Sequence, residues 1–209
     1  LIATVVAILA KGGPVMVPLL ACSVLALSVV LERAWFWWRL AREADPERVL
    51  QLAGAGKWED AARAGEASRS PGARVLAAGI RDRKAAPALA MEAAVQTEVE
   101  RMKRGLVVLD TIITLAPLLG LLGTVTGMIG SFGVMAESGI NQPHAITGGV
   151  AEALIATAAG LLVAIASLVP YNAFTARVES ATARMERDGT RLELLLARAR
   201  AEGAAEGGS

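Results

Sequence analysis

One carboxylate dominates the chemistry open to this chain. Glu152 lies in an uncharged, small-residue run, Gly148-Gly149-Val150-Ala151-Glu152-Ala153-Leu154-Ile155-Ala156-Thr157-Ala158-Ala159-Gly160-Leu161-Leu162-Val163-Ala164. That run is too apolar for an ordinary soluble helix, which places Glu152 within a membrane. A charge at the bilayer centre costs roughly 2.5–3.5 kcal/mol on insertion scales and is rarely kept there without a role. A carboxyl group in such a place can bind and release protons, so an ion pathway is the first expectation. The Thr124 hydroxyl, in the neighbouring apolar sequence, can bond a passing water or a partner carboxylate, and Thr157 lies five residues beyond Glu152 in the same run. For Thr124 the alternative is back-bonding within its own helix.

Other reactive residue types are scarce. The 209 residues contain one histidine and one cysteine, and 54% are hydrophobic. Cys22 sits in an apolar run and reads as a small packing residue, with no intramolecular disulfide and no metal cluster. This composition leaves little material for a soluble catalytic site, so no enzyme activity and no cofactor are expected. A net charge of +1 gives no reason to expect nucleic acid.

The elements that must position these groups follow from how the apolar residues bunch. Between Lys11 and Glu32 no residue is charged, and a membrane span needs about 20 mainly apolar residues. The spacing predicts a first transmembrane helix over 14–38, closed by Trp35, Phe36, Trp37 and Trp38, whose rings favour the headgroup layer. A signal peptide would have a shorter apolar core and a small-residue cleavage site, and the tryptophans argue against it. A second span is expected over 107–136 and a third over 143–174, where Pro143 suits the first helical turn. The segment from Arg39 to Arg104 carries thirteen basic residues and the tail from Arg177 carries six, whereas the connection over 137–142 carries none. Positive charge marks the cytoplasmic side. Residues 1–13 and 137–142 are therefore expected to be periplasmic, and 39–106 and 175–209 cytoplasmic. The expected class is an all-α integral membrane protein with three transmembrane helices and long helices extending into the cytoplasm.

The segment over 43–104 is rich in Ala, Glu and Arg and is interrupted at Gly54, Gly56, Pro71 and Pro87. It reads as several short helices, the last running on into the second span. In the tail, Val178, Met185, Leu192 and Leu196 recur at near-helical spacing, which suits one long helix packing against copies of itself. Residues 201–209, rich in Gly, Ala and Glu, read as a frayed, flexible end.

At about 100° per residue, Gly120, Gly123, Gly127 and Gly130 share one stripe of the second span, with Thr124 and Ser131 at its edge. Small residues let helices approach closely in lipid, and the third span is small-sided nearly all round, through Gly149 and Gly160 among others. Starting that helix at Pro143 puts Glu152 about 13 Å along it at 1.5 Å per residue. Glu152 and Thr157 point about 140° apart, so one helix cannot present both to one ion. Three spans per chain are too few to enclose a polar route, which implies a homo-oligomer.

These same residues carry a family resemblance. Leu121-Leu122-Gly123-Thr124-Val125-Thr126-Gly127-Met128-Ile129, the run from Gly149 to Leu161, and Tyr171-Asn172 together resemble the MotA/TolQ/ExbB proton-channel family. The likeness is strong over about 106–174, and the three-span topology favours ExbB and TolQ over MotA, which has four. The resemblance implies a bacterial inner-membrane protein forming a ring, pentameric by the family pattern, around helices of a smaller ExbD- or TolR-like single-span partner. It implies that proton flow drives motion of ring against partner, and that a TonB- or TolA-like protein carries the force to the outer membrane. On the same resemblance, Thr124, Glu152 and Thr157 match the family's proton route. One departure is visible: the family often has proline where this chain has Ala166, and here the proline is Pro170.

Two other function classes compete. A purely structural scaffold holding partner helices would suit the glycine stripe and the long tail, but would have no use for an intramembrane carboxylate. A small transporter acting alone should show inverted repeats and paired broken helices, and neither is visible. Proton is favoured over sodium, because the scarce polar groups would coordinate Na⁺ poorly.

Overall fold

Glycine and proline punctuate the chain where the backbone turns. The computed structural model describes residues 12–40, 46–138 and 143–206, with the side chains of 137–138, 143–146 and 203–206 set aside. Among the described residues all regular structure is helical. Helix α1 is Met16–Leu40, α2 Pro46–Gly54, α3 Trp58–Ala67, α4 Pro71–Arg81, α5 Pro87–Lys103, α6 Leu106–Ser138 and α7 Pro143–Glu206. Pro71 and Pro87 open α4 and α5, where a missing N–H costs nothing. Gly54 ends α2, and Gly56 adopts the left-handed φ of +74° that glycine tolerates best.

Three helices, α1, α6 and α7, contain stretches long and apolar enough to cross a membrane. Two compact units divide the chain. One comprises the sequence up to Arg33 together with 105–173, and the other comprises 34–104 with 174–209.

In the first unit each helix presents one buried stripe at spacings of three and four. On α1 it runs through Met16, Leu19, Cys22 and Ala26, after Val15 in the preceding turn, and ends on Arg33. On α6 it runs through Leu106, Leu109, Ile112, Ala116, Gly120, Gly123, Gly127 and Ser131, and on α7 through Ala153, Ala156, Gly160, Ala164 and Ser167. The opposite faces carry Leu118, Leu121, Ile129, Leu154, Leu162 and Val169 in the open. Pro117 and Pro170 lie inside α6 and α7, which continue past them.

In the second unit α4 is the centre. Pro71, Val75, Leu76 and Ile80 are buried along it, each large apolar side chain contributing roughly 1.5–3 kcal/mol of transfer free energy. Gly65 of α3 abuts Ala73 and Ala77, and Gly79 abuts Met91 of α5 and Leu192 of α7. Ion pairs join the surface: Glu47 accepts two hydrogen bonds from Arg191, at 2.8 and 2.9 Å, and Arg81 clasps Glu66 through both carboxylate oxygens. Arg74 donates to the buried Glu98 at 2.6 Å. At the end of α1, Phe36 meets Trp37 edge-on, and the Arg39 guanidinium lies 4.7 Å from the Trp35 ring centre.

Three sequence expectations differ from these elements. The helix before the second span does not run on into it, because Gly105 takes a φ of +81° and its carbonyl accepts the first amides of α6, from Val108 and Leu109. The tail stripe of Val178, Met185, Leu192 and Leu196 is buried within this chain's own second unit rather than left for another copy. Helix α7 also continues to Glu206, past the start of the segment expected to fray. Most of the expected periplasmic segment 1–13, most of the connection 137–142, and residues 207–209 lie outside the described residues.

Candidate functional site

Glycines decide how closely α6 and α7 meet. A Cβ placed on Gly120 would lie 3.0 Å from the Thr157 Cα and 3.1 Å from the Ala156 carbonyl oxygen. On Gly127 it would lie 2.9 Å from the Gly149 carbonyl oxygen, and on Gly160 3.1 Å from the Gly120 Cα. On Gly123 it would collide with the Ala156 methyl. Gly120, Gly127, Gly149 and Gly160 therefore lie on a backbone-to-backbone contact, and Gly123 lies beside them against the Ala156 methyl. Gly130, on the same sequence stripe, has open space where a Cβ would be. Ser131, read from sequence as an edge residue, is instead only 4% exposed; its hydroxyl donates to the Gly127 carbonyl, and its side chain meets Gly149.

This contact orients Thr157. Its hydroxyl donates across to the Gly120 carbonyl of α6 at 3.0 Å. The hydroxyls of Thr111, Thr114, Thr124 and Thr126 on α6 all turn back onto their own helix. Thr124 donates to the Leu121 carbonyl at 2.6 Å, the intrahelical alternative considered for it. A threonine that has spent its one proton on a carbonyl still offers oxygen lone pairs. Thr124 and Thr157 thus present acceptors, which suit a hydrated proton or a protonated carboxyl. Thr124 stands one helical turn beyond Gly120 on the same side of α6.

Glu152 is half-buried one residue from the α7 stripe. Its carboxyl rests against Gly13, in the turn that precedes α1. Thr157 and Glu152, about 140° apart around α7, thus have separate neighbours, Gly120 of α6 and the turn before α1. Sequence reading passed over Gly13; the signal available was the Gly12-Gly13-Pro14 triplet before an apolar run. It also passed over Arg33, which is buried at the end of the α1 stripe and donates to Glu32 at 2.7 Å through Nε. No cluster of three or more metal-ligating side chains occurs among the described residues.

Three helices long and apolar enough to cross a membrane, with a half-buried carboxylate and two threonine hydroxyls among them, define a membrane-embedded class of protein. Residues 67–187 match the model of the MotA/TolQ/ExbB proton channel family, and the chain belongs to that family. A Synechocystis protein that bears the name ExbB-like 1 is 40% identical over 195 residues, covering 88% of this chain and 76% of its own. TolQ of the Tol-Pal system from Pseudomonas aeruginosa is 41% identical over 92 residues, 44% of this chain and 40% of that protein. The biopolymer transport protein ExbB of Pseudomonas putida is 36% identical over 120 residues, 57% and 36% of the two chains.

Proposed function

We propose that this chain is the channel-forming subunit of an inner-membrane motor driven by the proton-motive force. Copies form a ring around the helices of an ExbD- or TolR-like single-span partner. The motor energises a TonB- or TolA-like protein that acts on the outer membrane, in import or in envelope maintenance. The chain's start faces the periplasm and the second unit lies in the cytoplasm, as the distribution of Lys and Arg supports.

The observation that carries this reading is Glu152, an ionisable group half-buried within the apolar, membrane-length stretch of α7. In the proposed mechanism Glu152 holds a proton near the route, and the lone pairs of Thr124 and Thr157 accept from the water or partner carboxyl that relays it. Close α6–α7 packing supports the route by excluding other water from the helix contact.

The test compares wild type with Glu152→Gln and Thr157→Val in cells where the partner proteins are present. Both variants should assemble with the partner yet lose proton-driven work. Normal energisation by both would sink the residue roles. A scaffold reading draws on the same glycine contacts, and full function in Glu152→Gln with intact assembly would favour it.

A further inference from the structure

The turn Gly12-Gly13-Pro14-Val15 is tightly defined where it meets α7. The Gly13 carbonyl accepts the Met16 amide at 3.1 Å and the Pro14 carbonyl accepts that of Val17 at 3.2 Å, so the turn leads directly into α1. Gly13 has a φ of +71°, a left-handed backbone that side-chain-bearing residues rarely adopt. The space a Cβ would need there is filled by the Glu152 carboxyl: the added atom would collide with Oε1, and would lie 2.8 Å from Cδ and 3.2 Å from Cγ. One residue earlier, a Cβ on Gly12 would lie 3.2 Å from the Ile155 Cγ2 and 2.6 Å from the Met16 Sδ. Gly12 and Gly13 thus let bare backbone reach α7 at residues 152 and 155, two side chains on one helical face.

The geometry points to Gly13 as a positioning residue that fixes where the Glu152 carboxyl stands. A glutamate has three rotatable side-chain bonds and no fixed place of its own. Here one of its directions is closed by backbone that has no side chain to move aside. Proton transfer depends on such placement, since a shift of about 1 Å at a reacting group can cost up to a hundredfold in rate. The inference rests on the proposed role of Glu152 in the proton route, but its central readouts do not require transport.

The experiment uses the full chain in membranes, as wild type, Gly13→Ala, Gly12→Ala and Glu152→Gln. Two quantities are measured: the infrared carboxyl band that disappears in Glu152→Gln, and the rate at which dicyclohexylcarbodiimide labels Glu152, followed by mass spectrometry. Gly13→Ala should shift the band and change the labelling rate several-fold. Gly12→Ala disturbs the same turn but meets the Met16 and Ile155 side chains rather than the carboxylate, and should change the band and rate much less than Gly13→Ala. Gly13→Ala with wild-type band and rate overturns the inference, as does an equal disturbance from Gly12→Ala. If Gly13→Ala does not accumulate, Gly13→Asn, which tolerates left-handed backbone better, is read by the same criteria. Proton-driven work separates the two levels. Work retained in Glu152→Gln removes the proposed role of Glu152 in the route while the band still judges the positioning. Work lost in Glu152→Gln, with an undisturbed band in Gly13→Ala, removes only the positioning.

Discussion

At the scale of single residues, Thr157 is the group whose two roles can be separated. Its hydroxyl donates to Gly120 across the helix contact, and its lone pairs are the proposed acceptors in the route. Thr157→Val keeps the shape and loses both, whereas Thr157→Ser keeps the hydroxyl and loses only a methyl. Losing the hydrogen bond alone should cost about 0.5–1.5 kcal/mol, a modest loss in thermal stability of the detergent-solubilised protein. Proton-driven work should fall sharply in Thr157→Val and persist in Thr157→Ser. Equal work in both would show that the hydroxyl matters only for packing. Glu152 and both threonines were legible in the sequence because a polar side chain stands out against an apolar run. The neighbours of Glu152 were not, since Gly13 lies 139 positions away and carries no functional group of its own.

At the scale of elements, the contact between α6 and α7 rests on absent side chains. Gly160→Ala would drive a methyl into the Ala116 carbonyl of α6, and overpacking of this kind typically costs about 1–3 kcal/mol. Gly130→Ala meets nothing, and replacing a helical glycine by alanine there should be neutral or stabilising by up to about 1 kcal/mol. Melting temperatures of the two purified variants give the comparison; a more harmful Gly130→Ala would mean that another chain covers that position. The stripe of glycines was readable from 100° periodicity, but its useful length was not. Only the crossing of two particular helices determines that the contact includes Gly127 and leaves out Gly130. Gly105 teaches a similar lesson. Its position after the basic cluster Arg101, Lys103 and Arg104 is a helix-stop signal, yet a helix running through it was equally compatible with the apolar pattern that follows.

At the scale of the whole molecule, the second unit has its own core and its own electrostatics. Leu192 is fully buried there, so Leu192→Ala should destabilise the unit by about 2–5 kcal/mol, seen as a lower denaturation midpoint. If the tail instead served self-association, that substitution would change the oligomer's mass and leave the midpoint alone. The surface pairs give a pH prediction. Hydrogen bonding to Arg191 holds the Glu47 carboxyl below its ordinary value against a smaller opposing effect of desolvation, and Arg81 does the same for Glu66. A lowered folded value means that the stabilisation is complete above the ordinary carboxylate range and disappears as pH falls through the folded value. The arginines are raised above their ordinary values by the same contacts, which affects only strongly alkaline conditions. Acid titration of Glu47→Gln and Glu66→Gln should therefore show a shallower loss of stability than wild type, and added salt should shrink the difference because both pairs are exposed. Identical acid profiles would remove the pairs from the account.

Local sequence determined what local physics can settle. Length and hydropathy mark three helices able to span a bilayer, proline and glycine mark the helix ends of the second unit, and a lone carboxylate among small residues marks the group that needs explaining. Each of these depends on residues within a few turns of one another. Tertiary structure decided which faces meet: that Leu192 of the tail reaches Gly79 of α4, that Thr157 reaches Gly120, and that the Glu152 carboxyl stands on Gly13. Those outcomes depend on which backbones can approach within van der Waals contact. That distance is set jointly by residues far apart in the chain, several of them glycines whose contribution is the space they leave empty.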